Sequence, residues 1–149
     1  MPTRLSPQQI ENLQQLQATV TGPDGATRMF IITGILQAGL GVSGTGPPAV
    51  QQTQTFTVLV GPVLSRRQFV QAVATAAVAR TSVSLQATTI QGSFIQLSSS
   101  INGVDADWDD ESGQVELSIE VSVGASGVNN NATVQGLTFQ VTILAALDQ

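Results

Sequence analysis

The chain has 149 residues, enough for one domain with a sizeable core, and only 10% of them are charged, where about 25% is ordinary. Its basic residues are all arginine and its formal net charge is -5, which excludes the basic surface that nucleic acid requires. It contains no histidine, cysteine, lysine or tyrosine, so the side chains most used in nucleophilic and general acid–base catalysis are missing. We therefore expect a neutral polar surface and no nucleic acid partner.

The N-terminal segment has the pattern of a short helix. Ser6, Pro7 and Gln9 have the arrangement of a capping box. Apolar residues at helical spacing follow, namely Ile10, Leu13 and Leu16. We predict an N-terminal helical arm over residues 1–20, which either lies on the sheet of its own chain or docks on a neighbouring subunit. No apolar core is present at this end, so we expect no N-terminal signal peptide.

Two predicted strands follow a turn at residues 22–25. Residues 27–38 are apolar on both strand faces, which is typical of a strand covered on both sides by a helix, a second sheet or another subunit. The predicted subunit interface combines apolar residues of the arm and of this strand, namely Ile10, Leu13, Leu16, Phe30 and Ile32. Residues 50–60 form the next predicted strand, and the polar first half of this strand indicates that it projects or lies at an edge.

The middle of the chain predicts a second helix. Ser65 and Gln68 repeat the capping-box spacing, and a run rich in alanine and valine follows them. We predict an Ala-rich helix over about residues 66–80, with side chains small enough to pack closely on a sheet. Residues 81–100 are predicted to be extended, with changes in the phase of alternation that indicate β-bulges.

The C-terminal region carries the clearest strand pattern. Apolar and polar residues alternate from Val115 to Val123 and again from Leu137 to Ile143, with a loop rich in glycine and asparagine between them. We predict that these two strands form a hairpin and that their apolar faces are buried together. The predicted core consists of Val115, Leu117, Ile119, Val121, Leu137, Phe139, Val141 and Ile143.

Together these elements predict an α+β fold that is mainly antiparallel β, with a two-layer or sandwich-like sheet and two helices. In this interpretation residues 1–20 are the helical arm, and residues 21–149 form a single β-rich domain. No run of apolar residues is long enough to span a membrane as a helix, so we expect no membrane span.

One acidic cluster is a candidate metal site. Asp105, Asp107 and Asp109, together with Glu116, have the spacing of the acidic ligands in a calcium-binding EF-hand loop, which this short segment resembles. The resemblance implies Ca²⁺ as the ligand, because carboxylate oxygens suit a hard cation. It fails at Asp110, where the EF-hand loop requires glycine, and the flanking segments are predicted strands. The alternative is a solvated acidic loop, and we predict no other cofactor.

A glycine-rich motif follows the first long strand. The spacing of a phosphate-binding loop occurs at Gly39-Leu-Gly41-Val-Ser-Gly44. Such a loop works only where a helix begins directly after it, and here a further run of turn-forming residues precedes another predicted strand. We therefore predict a surface loop over residues 39–48, and we expect no small-molecule ligand.

The sequence favours a structural function. Because the usual catalytic residues are missing, we predict no enzyme activity. A nearly uncharged surface, long strands with open edges and apolar segments without an evident cover favour a subunit that self-assembles into a homo-oligomer, such as a filament, a shell or a virus-like particle. The alternative is a secreted or surface-exposed β-sandwich binding module whose acidic loop holds Ca²⁺ or a glycan. The first hypothesis places the protein in an assembled particle, and the second places it at an extracellular surface.

Overall fold

The computed structural model describes residues 2–23, 25–45, 50–85 and 96–146, and nearly all of them lie in β-strands. Numbered along the chain, the strands are β1 (Thr3–Arg4), β2 (Ile10–Gly22), β3 (Gly25–Thr45), β4 (Val50–Val60), β5 (Phe69–Leu85), β6 (Gln96–Trp108), β7 (Val115–Ser126) and β8 (Val128–Ala146). A short 3-10 turn at Pro7–Gln9 is the one helical element among the described residues. The predicted β-rich character is confirmed.

The strands form two four-stranded sheets. The first sheet has the order β1-β4-β7-β6, and the second sheet has the order β2-β3-β8-β5. Neighbouring strands are antiparallel, except that β1 pairs with β4 in parallel. The first residues of the chain therefore belong to the first sheet, and the chain crosses to the second sheet at the 3-10 turn.

The core lies between the two sheets. Every residue of the predicted core is buried, with relative exposures of 0–4%. Phe139 is buried and Gln140 is exposed, so the predicted phase of alternation in β8 is confirmed. Removal of these apolar side chains from water is the main favourable contribution to folding.

The predicted hairpin between β7 and β8 is wrong. β7 pairs with β4 and β6 in the first sheet, whereas β8 pairs with β3 and β5 in the second. Gly127 connects them with a φ of 95°, a conformation that glycine adopts without strain, and carries the chain from one sheet to the other. Alternation therefore identifies which side chains are buried, but it does not identify the strand to which a segment is hydrogen-bonded.

The predicted α+β fold class is also wrong, because neither predicted helix is present. The N-terminal helical arm predicted over residues 1–20 contains β1, the 3-10 turn and most of β2, and the Ala-rich helix predicted at 66–80 contains most of β5. In β5 the side chain of Ala74 is half-buried, whereas Val73 on the opposite face is 53% exposed. Pairing with β8 along the strand fixes this period of two and overrides the helix propensity of alanine.

Both predicted capping boxes nevertheless occur, each at a single turn. The Ser6 N–H donates to Gln9 Oε1 at 2.9 Å, and the Ser65 N–H donates to Gln68 Oε1 at 2.8 Å. After each turn the chain enters an outermost strand of the second sheet, where β3 or β8 supplies partners for the backbone N–H and C=O groups. The capping residues start a turn, and tertiary pairing makes the next residues a strand rather than a helix.

The glycine-rich motif lies within a strand. The loop predicted at residues 39–48 is wrong for residues 39–45, because β3 continues to Thr45, and the rest of the predicted loop lies outside the described residues. Gly41 and Gly44 pair with Thr133 and Asn130 of β8, and a Cβ atom on either glycine would meet the side chain of its partner. These glycines make room for the neighbouring strand, and a strand rather than a helix N-terminus holds the motif. The next strand, β4, has the predicted bounds.

Candidate interaction surface

The solvent-facing side of the second sheet, which we term the outer face, carries both exposed apolar side chains and an ion pair. Directly paired residues in antiparallel strands point to the same side, so the pairing defines rows of side chains that run from β2 through β3 and β8 to β5. Three neighbouring rows of the outer face are Ala18–Met29–Leu144–Gln71, Leu16–Ile31–Thr142–Val73 and Gln14–Thr33–Gln140–Thr75.

Two of these rows are rich in exposed apolar side chains. Leu16 at one edge of the sheet is 68% exposed, and Val73 at the other edge is 53% exposed. Met29, Ile31 and Leu144 lie between them and are half-buried. β3 thus has apolar side chains on both faces, as its sequence indicates, and among the described residues the other sheet covers only the face toward the core. Large contiguous apolar surfaces are uncommon on monomeric soluble proteins.

The other end of the outer face is polar and carries an ion pair that crosses the sheet. Arg80 of β5 donates from Nη1 and Nη2 to the two carboxylate oxygens of Glu11 on β2, at 2.9 Å each. Gln37 of β3 donates to the same carboxylate at 2.5 Å. The hydrogen bonds from Arg80 and then from Gln37 lower the pKa of Glu11 from its usual range to about 2.

The ion pair can cross the sheet because β8 has no side chain in its path. Gly136 of β8 pairs with Gln37 on one side and with Arg80 on the other. A Cβ atom on this glycine would lie 3.3 Å from Arg80 Nε and 3.1 Å from the Ile35 side chain. The glycine leaves a passage through which side chains of the two outermost strands, β2 and β5, meet.

Both outermost strands of this sheet have one edge to which no other described strand is hydrogen-bonded, and we term this the free edge. Among the described residues β2 pairs only with β3, and β5 pairs only with β8. Every residue of β2 from Asn12 to Gly22 is exposed. A strand in this position presents unpaired N–H and C=O groups to which a further strand can add.

The structure separates the residues of the predicted subunit interface. Leu16 is on the outer face, and Leu13 is 51% exposed beside a small cavity at one end of the sandwich. Ile10 is half-buried, and Phe30 and Ile32 lie in the core of their own chain. Of this set, only Leu13 and Leu16 offer a large exposed apolar side chain.

The predicted interface lacks four apolar residues of the outer face, namely Met29, Ile31, Val73 and Leu144. Val73 falls within the predicted Ala-rich helix, and Leu144 directly follows the last predicted strand. The signal that points to them is indirect. Residues 27–38 are apolar on both strand faces. This pattern predicts that the outer side of β3 is covered, and the strands beside β3 then share the same cover.

The predicted calcium ligands are distributed along the hairpin of β6 and β7. Asp107 lies opposite Glu116, and Asp105 lies further along β6 opposite Ser118. Glu116 forms an ion pair with Arg4 of β1. Within the described ranges no group of three or more acidic side chains is arranged to hold a metal ion.

Asp109 has a local structural role in the turn between β6 and β7. Its Oδ2 accepts hydrogen bonds from Ser112 Oγ at 2.7 Å and from the Ser112 N–H at 3.0 Å, and these bonds lower the pKa of Asp109. The Asp109 N–H donates to the Gln114 carbonyl, and the Gly113 N–H donates to the Asp109 carbonyl. The carboxylate thus stabilises the turn that brings the chain into β7.

Comparison of the chain with known protein families, with curated proteins and with solved structures gave no match. In the part of the chain that the structure describes, no helix is long and apolar enough to cross a membrane. The outer face and the free edges of β2 and β5 are therefore the features on which a functional proposal rests.

Proposed function

We propose that this protein is a non-enzymatic structural subunit that self-associates into an ordered assembly such as a filament or a shell. The observation that carries the proposal is the apolar part of the outer face, where Leu16, Ile31 and Val73 share one row and the two end residues are more than half exposed. Contact of the exposed side chains at the ends of this row with another copy removes apolar area from water, and that contribution favours association.

The distribution of charge supports the same function. The three rows of the outer face contain no charged residue, and the carboxylate and guanidinium of Glu11 and Arg80 neutralise each other. Two such surfaces repel each other little when they approach. A partner with a strong charge of its own would find no complementary patch in these rows.

The test is the molecular mass in solution, measured by sedimentation velocity and light scattering over a wide range of protein concentration. We expect the mass to rise above that of the monomer as the concentration increases. Leu16→Asp should raise the dissociation constant at least about tenfold, because the contact would bury an unpaired charge. Its far-UV circular dichroism should match that of the unmodified protein, because Leu16 is exposed.

Ser98→Asp is the matched control. It introduces the same charge at an exposed position of β6 in the other sheet, so association should not change. A protein that stays monomeric at every concentration would overturn the proposed function. Equal effects of the two substitutions would remove the outer face from the contact.

A further inference from the structure

We infer that copies of this chain join through the edges of the second sheet, with β5 of one copy adding to β2 of the next. One sheet then continues through the whole assembly. The inference rests on the proposed self-association and specifies its mode, which is antiparallel strand addition. It follows from the regularity of the two edges, from the direction of the strands and from the side chains at each edge.

Both edges offer a regular stretch for pairing. β2 is in continuous register with β3 from Gln14 to Gly22, and β5 is in continuous register with β8 from Gln71 to Val78. The bulges of both strands lie outside these stretches. Neither strand contains proline or lysine, which natural edge strands use to prevent unwanted pairing.

The direction of the strands permits a head-to-tail repeat. The pairs β2–β3, β3–β8 and β8–β5 are all antiparallel, so β2 and β5 run in opposite directions. When a second copy repeats beside the first in the same orientation, β5 and the β2 of the neighbour are antiparallel as well. The hydrogen-bond pattern of the sheet then continues without rearrangement of either copy.

The exposed apolar side chains also match in this arrangement. The row that begins at Leu16 on β2 ends at Val73 on β5, and both side chains are more than half exposed. In a continued sheet Val73 of one copy lies beside Leu16 of the next copy. Side chains placed directly opposite each other on paired strands contact, so each of these two removes the other from water.

The rows of side chains favour a head-to-tail repeat over a two-fold contact. In a head-to-tail contact Val73 of one copy and Leu16 of the next copy lie at the ends of the same row, so the rows continue from copy to copy. Glu11 and Arg80 bind each other within one copy, so their charges do not select between the two contacts. A contact between unlike edges is heterologous, and it repeats into a filament or closes into a ring.

The test uses two variants that each block one edge with lysine. Leu16→Lys blocks β2, and Val73→Lys blocks β5, at positions exposed enough to leave the fold intact. Every head-to-tail contact needs one edge of each kind, so each variant alone should be monomeric at concentrations where the unmodified protein associates. An equimolar mixture should form a dimer and nothing larger, because Leu16→Lys keeps a free β5 and Val73→Lys keeps a free β2.

Other outcomes overturn the inference in distinct ways. A dimer formed by Val73→Lys alone would indicate two-fold pairing of β2, and a dimer formed by Leu16→Lys alone would indicate two-fold pairing of β5. A mixture that stays monomeric also contradicts the inference. If both variants associate like the unmodified protein, the contact lies elsewhere and self-association stands, whereas a monomeric unmodified protein would overturn both proposals.

A second pair of variants keeps the test valid if one of the first pair fails to fold. Gln14→Lys and Thr75→Lys place the same charge at the two ends of the neighbouring row, and both positions are exposed. The head-to-tail contact predicts the same pattern for this pair, which is two monomers that form a dimer on mixing. Far-UV circular dichroism of each variant identifies a loss of fold.

Discussion

The central strands β7 and β8 differ from the outermost strands β2 and β5 in how sharply their sequences alternate. The apolar residues of β7 from Val115 to Val123 are 0–1% exposed. By contrast, Leu16 and Val20 of β2 are 68% and 46% exposed. A central strand must bury one whole face, whereas a strand paired on one side only contributes little to the core. The central strands therefore contribute most of the stability. The outermost strands keep apolar side chains exposed, and these side chains are free to contact another molecule.

The largest expected effect comes from shortening a side chain of the core. Phe139→Ala on β8 should lower the free energy of unfolding by about 3–5 kcal/mol, because it removes a large buried side chain and leaves a cavity. Gln140→Ala is the control on the adjacent, exposed position and should change it by no more than about 0.5 kcal/mol. Urea unfolding measures both values. Similar losses for the two variants would contradict the assignment of faces in β8.

A second test concerns two glycines of β3 that differ only in their surroundings. A Cβ atom on Gly44 would approach the Gly127 carbonyl oxygen to 2.6 Å and would also meet the Asn130 side chain, so Gly44→Ala should cost about 1–3 kcal/mol. Gly39 has no atom within 4 Å of the equivalent position. Gly39→Ala should therefore be neutral or should stabilise the strand by up to about 1 kcal/mol. Thermal unfolding compares the two, and equal losses would show that β3 is not packed as described.

The contrast between central and outermost strands also explains what the sequence can predict. In β7 and β8 a complete buried face imposes a period of two, so the core was predictable residue by residue. The hairpin was not predictable. The alternation shows which side chains are buried, but it does not show which strand is hydrogen-bonded beside them. The bend at Gly127 places β7 and β8 in different sheets, and only the packing of the whole chain decides that.

The outermost strands were mispredicted for the complementary reason. In β2 the spacing of Ile10, Leu13 and Leu16 fits a helix, and no buried face constrains the rest of the strand. In β5 the alanines fit a helix equally well, and their pairing with β8 lies more than fifty residues away along the chain. Part of the candidate surface was nevertheless predictable. The predicted interface includes Leu16, although as part of an apolar stripe on a helix that is not present, whereas Val73 required knowledge of the strand order.

A smaller effect is expected where the chain enters the central strand β7. Asp109→Ala removes the acceptor for both Ser112 hydrogen bonds and should lower the free energy of unfolding by less than Gly44→Ala does. Asp107→Asn on the exposed side of β6 should change it by less than about 0.5 kcal/mol. Thermal unfolding with and without Ca²⁺ measures both effects. A rise in Tm with Ca²⁺ that Asp107→Asn abolishes would contradict the purely structural role of this turn.

The smallest effect concerns the ion pair that connects the two outermost strands. Because Glu11 has a pKa of about 2 in the folded protein and about 4.3 in an unfolded chain, protons bind the unfolded state first as the pH falls. The stability that Glu11 contributes is therefore complete above about pH 4.3, and it decreases as the pH falls and is lost as the pH passes through about 2. The side chain of Arg80 is 45% exposed and that of Glu11 is 32% exposed, so solvent and salt screen the pair and the effect on Tm should be small.

Glu11→Gln tests this contribution, with Glu120→Gln as the control at an exposed carboxylate of the first sheet. The Tm of Glu11→Gln should lie below that of the unmodified protein at pH 7, and the difference should shrink between about pH 4.3 and pH 2. Arg80→Gln should have the same effect, and the double variant should lose little more, because the two side chains act as one unit. A difference that persists unchanged at pH 2 would show that Glu11 acts through packing. In that case the ion pair that passes over Gly136 would not stabilise the contact between the two outermost strands of the second sheet.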